Sequence, residues 1–225
     1  MVRWAALIAG LFAAPAEAAC RLGLVLALDV SSSVDNREYE LQSKGLAAAL
    51  DAPDIRHAIL SGRGEVALAV YEWSGRHREK LHLDWKLLRS HADITRAAAA
   101  LADMERATAE FPTALGSALG YGAQVMARAP DCARRVIDVS GDGVNNQGFG
   151  PALAYRHFPF QNITVNGLVI LGHDEDVLRH YREEVLRGPG AFLEVADGFE
   201  DFRRAMERKL FREISDIVLG ALPAQ

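Results

Sequence analysis

From residue 21 onward the chain alternates between short, nearly continuous apolar runs and longer stretches of helical periodicity. "RLGLVLALDV" (21–30) is apolar almost throughout and bounded by turn residues, the pattern of a strand covered on both faces. "GEVALAVYEW" (64–73), "RRVIDVSGDG" (134–143), "NITVNGLVIL" (162–171) and "AFLEVAD" (191–197) repeat it, while "EKLHLDWKLL" (79–88) alternates as an edge strand does. Between them the periodicity predicts helices at 37–50, 92–104, 114–128, 174–186 and 199–217. Such alternation predicts an α/β fold: a single doubly wound, mostly parallel sheet with helices on both faces, right-handed crossovers and one short antiparallel edge strand. No repeat, low-complexity tract or linker divides the chain.

Composition fits one compact domain, with 50% of residues hydrophobic and 24% charged. The formal charge of −5 argues against non-specific nucleic-acid binding, and Arg134-Arg135 and Arg203-Arg204 read as solvated charge. The first residues differ from the rest: Arg3 precedes an apolar stretch from Trp4 to Ala14, and "APAEAAC" follows with small residues suited to cleavage. This predicts a secretory signal peptide over 1–18, cut near Ala18, and a domain over 19–225 that is periplasmic or secreted in a bacterium. The apolar stretch is too short for a comfortable transmembrane helix. Glu17 stands where a lipidation signal upstream of Cys20 wants an aliphatic residue.

"LALDVSSSVD" (26–35) breaks from an apolar run into Asp29-x-Ser31-x-Ser33. Two further stretches carry oxygen side chains at element ends: Thr113, after Pro112 and before a helix, and Asp142, where a strand gives way to a Gly/Asn loop. Taken singly, a Ser or Thr before a helix is as readily a cap as a ligand. In doubly wound sheets, however, ligands sit at the carboxyl ends of the strands, where Asp29 and Asp142 fall.

The three segments together, in this order, resemble the metal-ion-dependent adhesion site of von Willebrand factor type A domains. The similarity covers nearly the whole chain after residue 18 and is greatest to a bacterial exported branch of unknown function. It implies a six-stranded sheet with the first strand central and a Mg2+ or Mn2+ at its upper edge. Ser31, Ser33 and Thr113 would supply hydroxyl oxygens, with Asp29 and Asp142 binding directly or through water. The family usually writes the last motif Thr-Asp-Gly, whereas this chain has Ser140-Gly141-Asp142-Gly143. Asp138 is the alternative carboxylate, although it should lie within the strand.

The chemistry of these residues agrees with the resemblance. Hard divalent cations take oxygen ligands, about six for Mg2+, which keeps several waters. Helix N-termini near Ser33 and Thr113 would oppose a bare cation, so the two carboxylates are needed to hold it. Neutral hydroxyls leave the ion electrophilic and open to a carboxylate from elsewhere. The resulting expectation is an exported, non-enzymatic module that binds a protein or peptide through an Asp or Glu of the partner. The alternative is a metal-dependent, phosphatase-like hydrolase using Asp29 as nucleophile. The aspartyl-phosphate pattern would want a second carboxylate at position 31, which is Ser31, and no Gly-x-Ser-x-Gly elbow occurs.

Other residues admit two readings. Asn145 and Asn146 either orient water or partner above the site, or simply make a turn. Gly116 and Gly120, one helical turn apart, suggest close helix–sheet packing. "HDED" (173–176) either borders the site or starts a solvated helix, and Trp73, Phe149 and Tyr155 form either an aromatic rim or core. Asn162-Ile163-Thr164 matches a glycosylation acceptor but falls in a predicted strand. Cys20 and Cys132 are the only cysteines, an even pair expected to be bonded in an oxidising compartment. The resemblance makes their strands parallel neighbours and brings both to the lower edge, while a free or lipidated Cys20 is the alternative.

Overall fold

The computed structural model describes residues 20–215; the expected signal peptide lies outside them. The elements, in order, are β1 (Cys20–Asp29), α1 (Asn36–Asp51), α2 (Pro53–Ser61), β2 (Glu65–Trp73), β3 (Lys80–Leu88), α3 (His91–Ala102), α4 (Leu115–Met126), β4 (Cys132–Gly141), α5 (Pro151–His157), β5 (Thr164–Ile170), α6 (Val177–His180), β6 (Leu193–Ala196) and α7 (Phe202–Ile214). A π-helical turn, Tyr181–Val185, continues α6, and a 3-10 turn, Phe199–Asp201, leads into α7.

The six strands form one sheet in the order β3-β2-β1-β4-β5-β6. Every pairing is parallel except β2 with β3. β1 is buried along its whole length because helices cover both of its faces. On one face Leu24, Leu26 and Leu28 meet α1, α2, α3 and α7 through residues such as Leu46, Ile55, Ile94 and Phe202. On the other, Val25 and Ala27 meet α4, α5 and the π turn through Leu119, Ala154 and Tyr181. The chain leaves β1 for β2 and β3 on one side, then crosses back to β4, β5 and β6 on the other. The order therefore reverses between β1 and β4, and a crevice opens beyond their carboxyl ends.

At the opposite end of the same two strands, Cys20 pairs in register with Cys132. Their sulfurs form the expected disulfide, with the Cα atoms 4.4 Å apart. It links positions separated by 112 residues, which the chain-entropy account values at about 4–5 kcal/mol as an upper estimate.

Several expectations are corrected. Two helices, α2 and α5, were not expected; each is short and begins with a proline, at Pro53 and Pro151. Pro53 also explains the break after α1, since it forces Ala52 into an extended conformation at ψ 141°. The helix expected at 174–186 is one short turn of α-helix followed by the π turn. Asn162 precedes β5 instead of lying in it, because it adopts a left-handed turn conformation at φ 58°. Gly116 and Gly120 do not face the sheet. A side chain at Gly116 would strike Phe149 and one at Gly120 would strike the Phe158 ring, so they admit the segment around α5, while Gly122 alone faces Tyr71 and Ile137 of the sheet.

Candidate metal centre

The β1–α1 loop, the segment before α4 and the end of β4 meet at the crevice and bring Asp29, Ser31, Ser33, Thr113 and Asp142 together. The Thr113 hydroxyl donates to Ser31 Oγ at 3.2 Å. Ser31 Oγ and Ser33 Oγ lie 3.2 Å apart, and Ser33 Oγ donates to Asp142 Oδ1 at 2.9 Å. Asp29 Oδ1 accepts the Ser31 N–H at 2.8 Å. All but Ser33 are buried. The other carboxylate oxygens, Asp29 Oδ2 and Asp142 Oδ2, are buried without a hydrogen-bond partner among the described residues.

None of the three hydroxyls caps a helix. Asp35 caps α1, accepting Glu38 N–H at 2.8 Å while Glu38 Oε2 accepts Asp35 N–H at 2.7 Å. The cap position of α4 is Ala114, which has no side-chain acceptor. Instead Asn145 Oδ1, from the loop after β4, accepts Gly116 N–H at 3.3 Å. Asn146 Oδ1 accepts Thr113 N–H at 2.8 Å, and Thr113 O accepts the N–H groups of Asn146 and Gln147. The two asparagines therefore clamp the Thr113 segment and α4 through their side-chain oxygens.

The unusual Ser-Gly-Asp-Gly run has a steric explanation. A Cβ at Gly141 would lie 2.9 Å from Asp29 Oδ2 and would also strike the Tyr181 hydroxyl. Ser140 turns to the other side, where its hydroxyl donates to Ala27 O at 3.2 Å. Asp138 is on that side too, beneath α7, with Lys209 Nζ 3.1 Å away. Asp142, not Asp138, faces Ser33.

Burial raises both site carboxylates. It pushes Asp29 up to about 8, with the negative charge of Asp142 adding to the effect. Asp142 is raised by burial and held down in part by the Ser33 hydroxyl. At the border, His173 Nε2 lies 3.0 Å from Glu38 Oε1, and Asp174 Oδ2 accepts Val144 N–H at 3.2 Å. "HDED" thus braces the loop after Asp142. Trp73 is fully buried, Phe149 stacks on Phe158, and the Tyr155 hydroxyl donates to Val185 O, so the three aromatics are packing residues.

Sequence reasoning missed Gln42, Arg106 and Tyr181. Gln42 Nε2 donates to Asp29 O at 2.9 Å. Its signal was present: a glutamine within the buried stripe of Tyr39, Leu46 and Leu50 on α1. The Tyr181 hydroxyl is buried beside Asp29 without a hydrogen-bond partner among the described residues. Arg106 carried no signal, because it holds backbone.

Solved structures share this architecture. Proximal thread matrix protein 1 of the mussel byssus superposes with a TM-score of 0.62 at 17% identity, over 88% of this chain and 47% of that one. A von Willebrand factor type A protein from Catenulispora acidiphila gives 0.61 at 14% identity, over 87% and 42%. The pilus adhesin SpaC from Lactobacillus rhamnosus GG, in an open conformation, gives 0.60 at 13%, over 87% and 30%. The chain therefore spans less than half the length of each. Another structure of the mussel protein is described with a zinc-occupied MIDAS motif, the metal-ion-dependent adhesion site, at 16% identity and a TM-score of 0.60, over 87% of this chain and 46% of that one. The fold is that of a von Willebrand factor type A domain. Within that class, the chain belongs to the family described as protein of unknown function DUF1194, whose model matches residues 19–218. No curated protein sequence matches it.

Proposed function

We propose that this protein is an exported, metal-dependent protein-binding module whose divalent cation, Mg2+ or Mn2+, is held by Asp29, Ser31, Ser33, Thr113 and Asp142. One observation carries the reading: Asp29 and Asp142 each keep a buried carboxylate oxygen without a partner among the described residues, in a cluster with three hydroxyls that serve no helix end. A buried carboxylate is costly unless paired, and two carboxylates with three neutral oxygens suit a hard cation. When bound, the cation supplies an electrophilic centre for an Asp or Glu of a protein partner. The chain's own residues do the rest: Ser31 N–H orients Asp29, Ser33 orients Asp142, and Asn146 fixes Thr113. Export accords with the disulfide, which persists in oxidising compartments. Among the described residues, no helix is long and apolar enough to cross a membrane.

Calorimetric titration with Mn2+ and Mg2+ tests the reading. One weakly bound ion per chain is expected, and Asp29→Ala with Thr113→Ala should remove it; no binding at about 1 mM metal sinks the assignment. A pull-down from periplasmic extract should lose its partner in EDTA. Phosphatase or esterase turnover abolished by Asp29→Ala would replace the binding reading with the hydrolytic one.

A further inference from the structure

The guanidinium of Arg106 stands behind the loop that carries Ser31 and Ser33. Its Nη2 donates to three backbone carbonyls, Val30 O at 2.9 Å, Ser31 O at 3.0 Å and Val34 O at 2.7 Å. Hydrogen bonds from a charged donor are about twice as strong as neutral ones. Three carbonyl dipoles converging on one point repel one another unless a cation sits among them, and Arg106 is that cation. With its carbonyls drawn to Arg106, the loop presents the Ser31 N–H to Asp29 and the Ser33 hydroxyl to Asp142.

Arg106 belongs to the segment between α3 and α4, the one that ends at Thr113. That segment makes a second stitch to the loop, where Ser32 N–H donates to Phe111 O at 2.9 Å. The Thr113–Ser31 hydroxyl contact spans the same junction. Arg106 is itself anchored: the N–H of its neighbour Ala107 donates to Glu72 Oε1 at 2.5 Å. Glu72 is buried on β2, with His82 Nε2 2.9 Å from its other oxygen. The Tyr39 ring centroid lies 5.8 Å from the guanidinium.

We infer that Arg106 is a positioning residue of the cation site, joining the two chain segments that supply its hydroxyls and fixing their spacing without touching the ion. The inference rests on the cation-site reading above. The experiment is Mn2+ calorimetry on wild type, Arg106→Gln, Arg106→Lys and Arg56→Gln, with thermal melts of each in EDTA. Arg56 serves as the structural control, because it bonds Asp51, Thr95 and the His91 carbonyl away from the site.

Arg106→Gln is expected to weaken Mn2+ binding about 10–100-fold, the usual effect of residues that orient metal ligands. Arg106→Lys should recover part of it, since an ammonium also donates to carbonyls. Arg56→Gln should melt lower yet bind Mn2+ as wild type does. Arg106→Gln that melts lower but keeps wild-type affinity overturns the inference. Should that variant fail to fold, Arg106→Lys decides: weaker binding supports the inference and unchanged binding overturns it. Wild-type protein that binds no Mn2+ overturns the cation-site reading, and this inference with it.

Discussion

Two pairs of buried acids lie at the sheet, Asp138 with Glu213 of α7 and Asp29 with Asp142, and they are matched in opposite ways. Beneath α7, Lys209 Nζ lies 3.1 Å from Asp138 Oδ1 and 3.7 Å from Glu213 Oε1, with all three side chains at most 1% exposed. The Asp138 contact is an ion pair by distance but is not aligned as a hydrogen bond. Asn166 Nδ2 donates to Glu213 at 2.6 Å, and the Phe192 ring covers the ammonium at 4.3 Å. At the crevice, Asp29 and Asp142 have no lysine or arginine within ion-pair distance among the described residues; their neighbours are hydroxyls and a backbone N–H. The guanidinium of Arg106, whose charge reaches Asp29, is turned to carbonyls. Where acids only join a helix to the sheet, the chain provides the cation itself. Where they are to hold an exchangeable ion, under the proposed function, it provides neutral oxygens and leaves the charge to be met from solution.

The strongest way to break this contrast is to remove the internal cation. Lys209→Met leaves Asp138 and Glu213 buried together without the ammonium between them, and removing one partner of a buried ionic group costs about 3–5 kcal/mol. Urea unfolding at neutral pH should show a loss of that size, and added Mn2+ should not restore it. A loss below about 1 kcal/mol would mean that the two acid sites do not differ as described.

A smaller effect follows from pH. Burial raises Asp138 from 3.8 to about 6, against the pull of Lys209. A raised folded value means that the folded protein holds this proton more tightly than the unfolded chain. Its stabilising contribution is then fully present below 3.8 and lost as pH rises through about 6. The loss should be on the order of 1–3 kcal/mol. Urea midpoints of wild type and Asp138→Asn across that window read it, together with its coupling to Lys209 and Glu213. Parallel curves for the two proteins would remove Asp138 from the account.

The strands were legible in the sequence because five are local apolar runs and the sixth alternates, and the five proposed donors because their three segments, taken together and in order, resemble the adhesion site of von Willebrand factor type A domains. What escaped was set by long-range packing. Arg106 meets Val30, Ser31 and Val34 across 72 to 76 positions of sequence, and a backbone carbonyl has no residue identity for a motif to record. The spacing of Gly116 and Gly120 announces a bare helix face without naming what fills it, and the occupants are Phe149 and Phe158 rather than the sheet. α2 and α5 were too short for periodicity to register, although Pro53 and Pro151 mark their starts. Ser33 and Thr113, expected as donors, could each have been a cap instead; the structure gives the cap of α1 to Asp35 and satisfies Gly116 N–H of α4 from Asn145.

The smallest effect is also the sharpest, because its dependence on metal separates the two sites. Asp29→Asn keeps an oxygen for the Ser31 N–H and removes a carboxyl that burial and Asp142 raise to about 8, so folding without metal no longer requires that group to take up a proton. In EDTA at neutral pH the variant should therefore be as stable as wild type, or more stable by about 1 kcal/mol. In saturating Mn2+ the order should invert. Wild type gains stability by mass action, about 2.7 kcal/mol at one hundred times the dissociation constant, and the variant gains almost nothing. Paired urea unfolding curves, with and without metal, measure both halves. Destabilisation of Asp29→Asn in EDTA by more than about 1 kcal/mol would show that the carboxylate is matched by partners within the chain. Retention of the full Mn2+ gain would place the ion elsewhere.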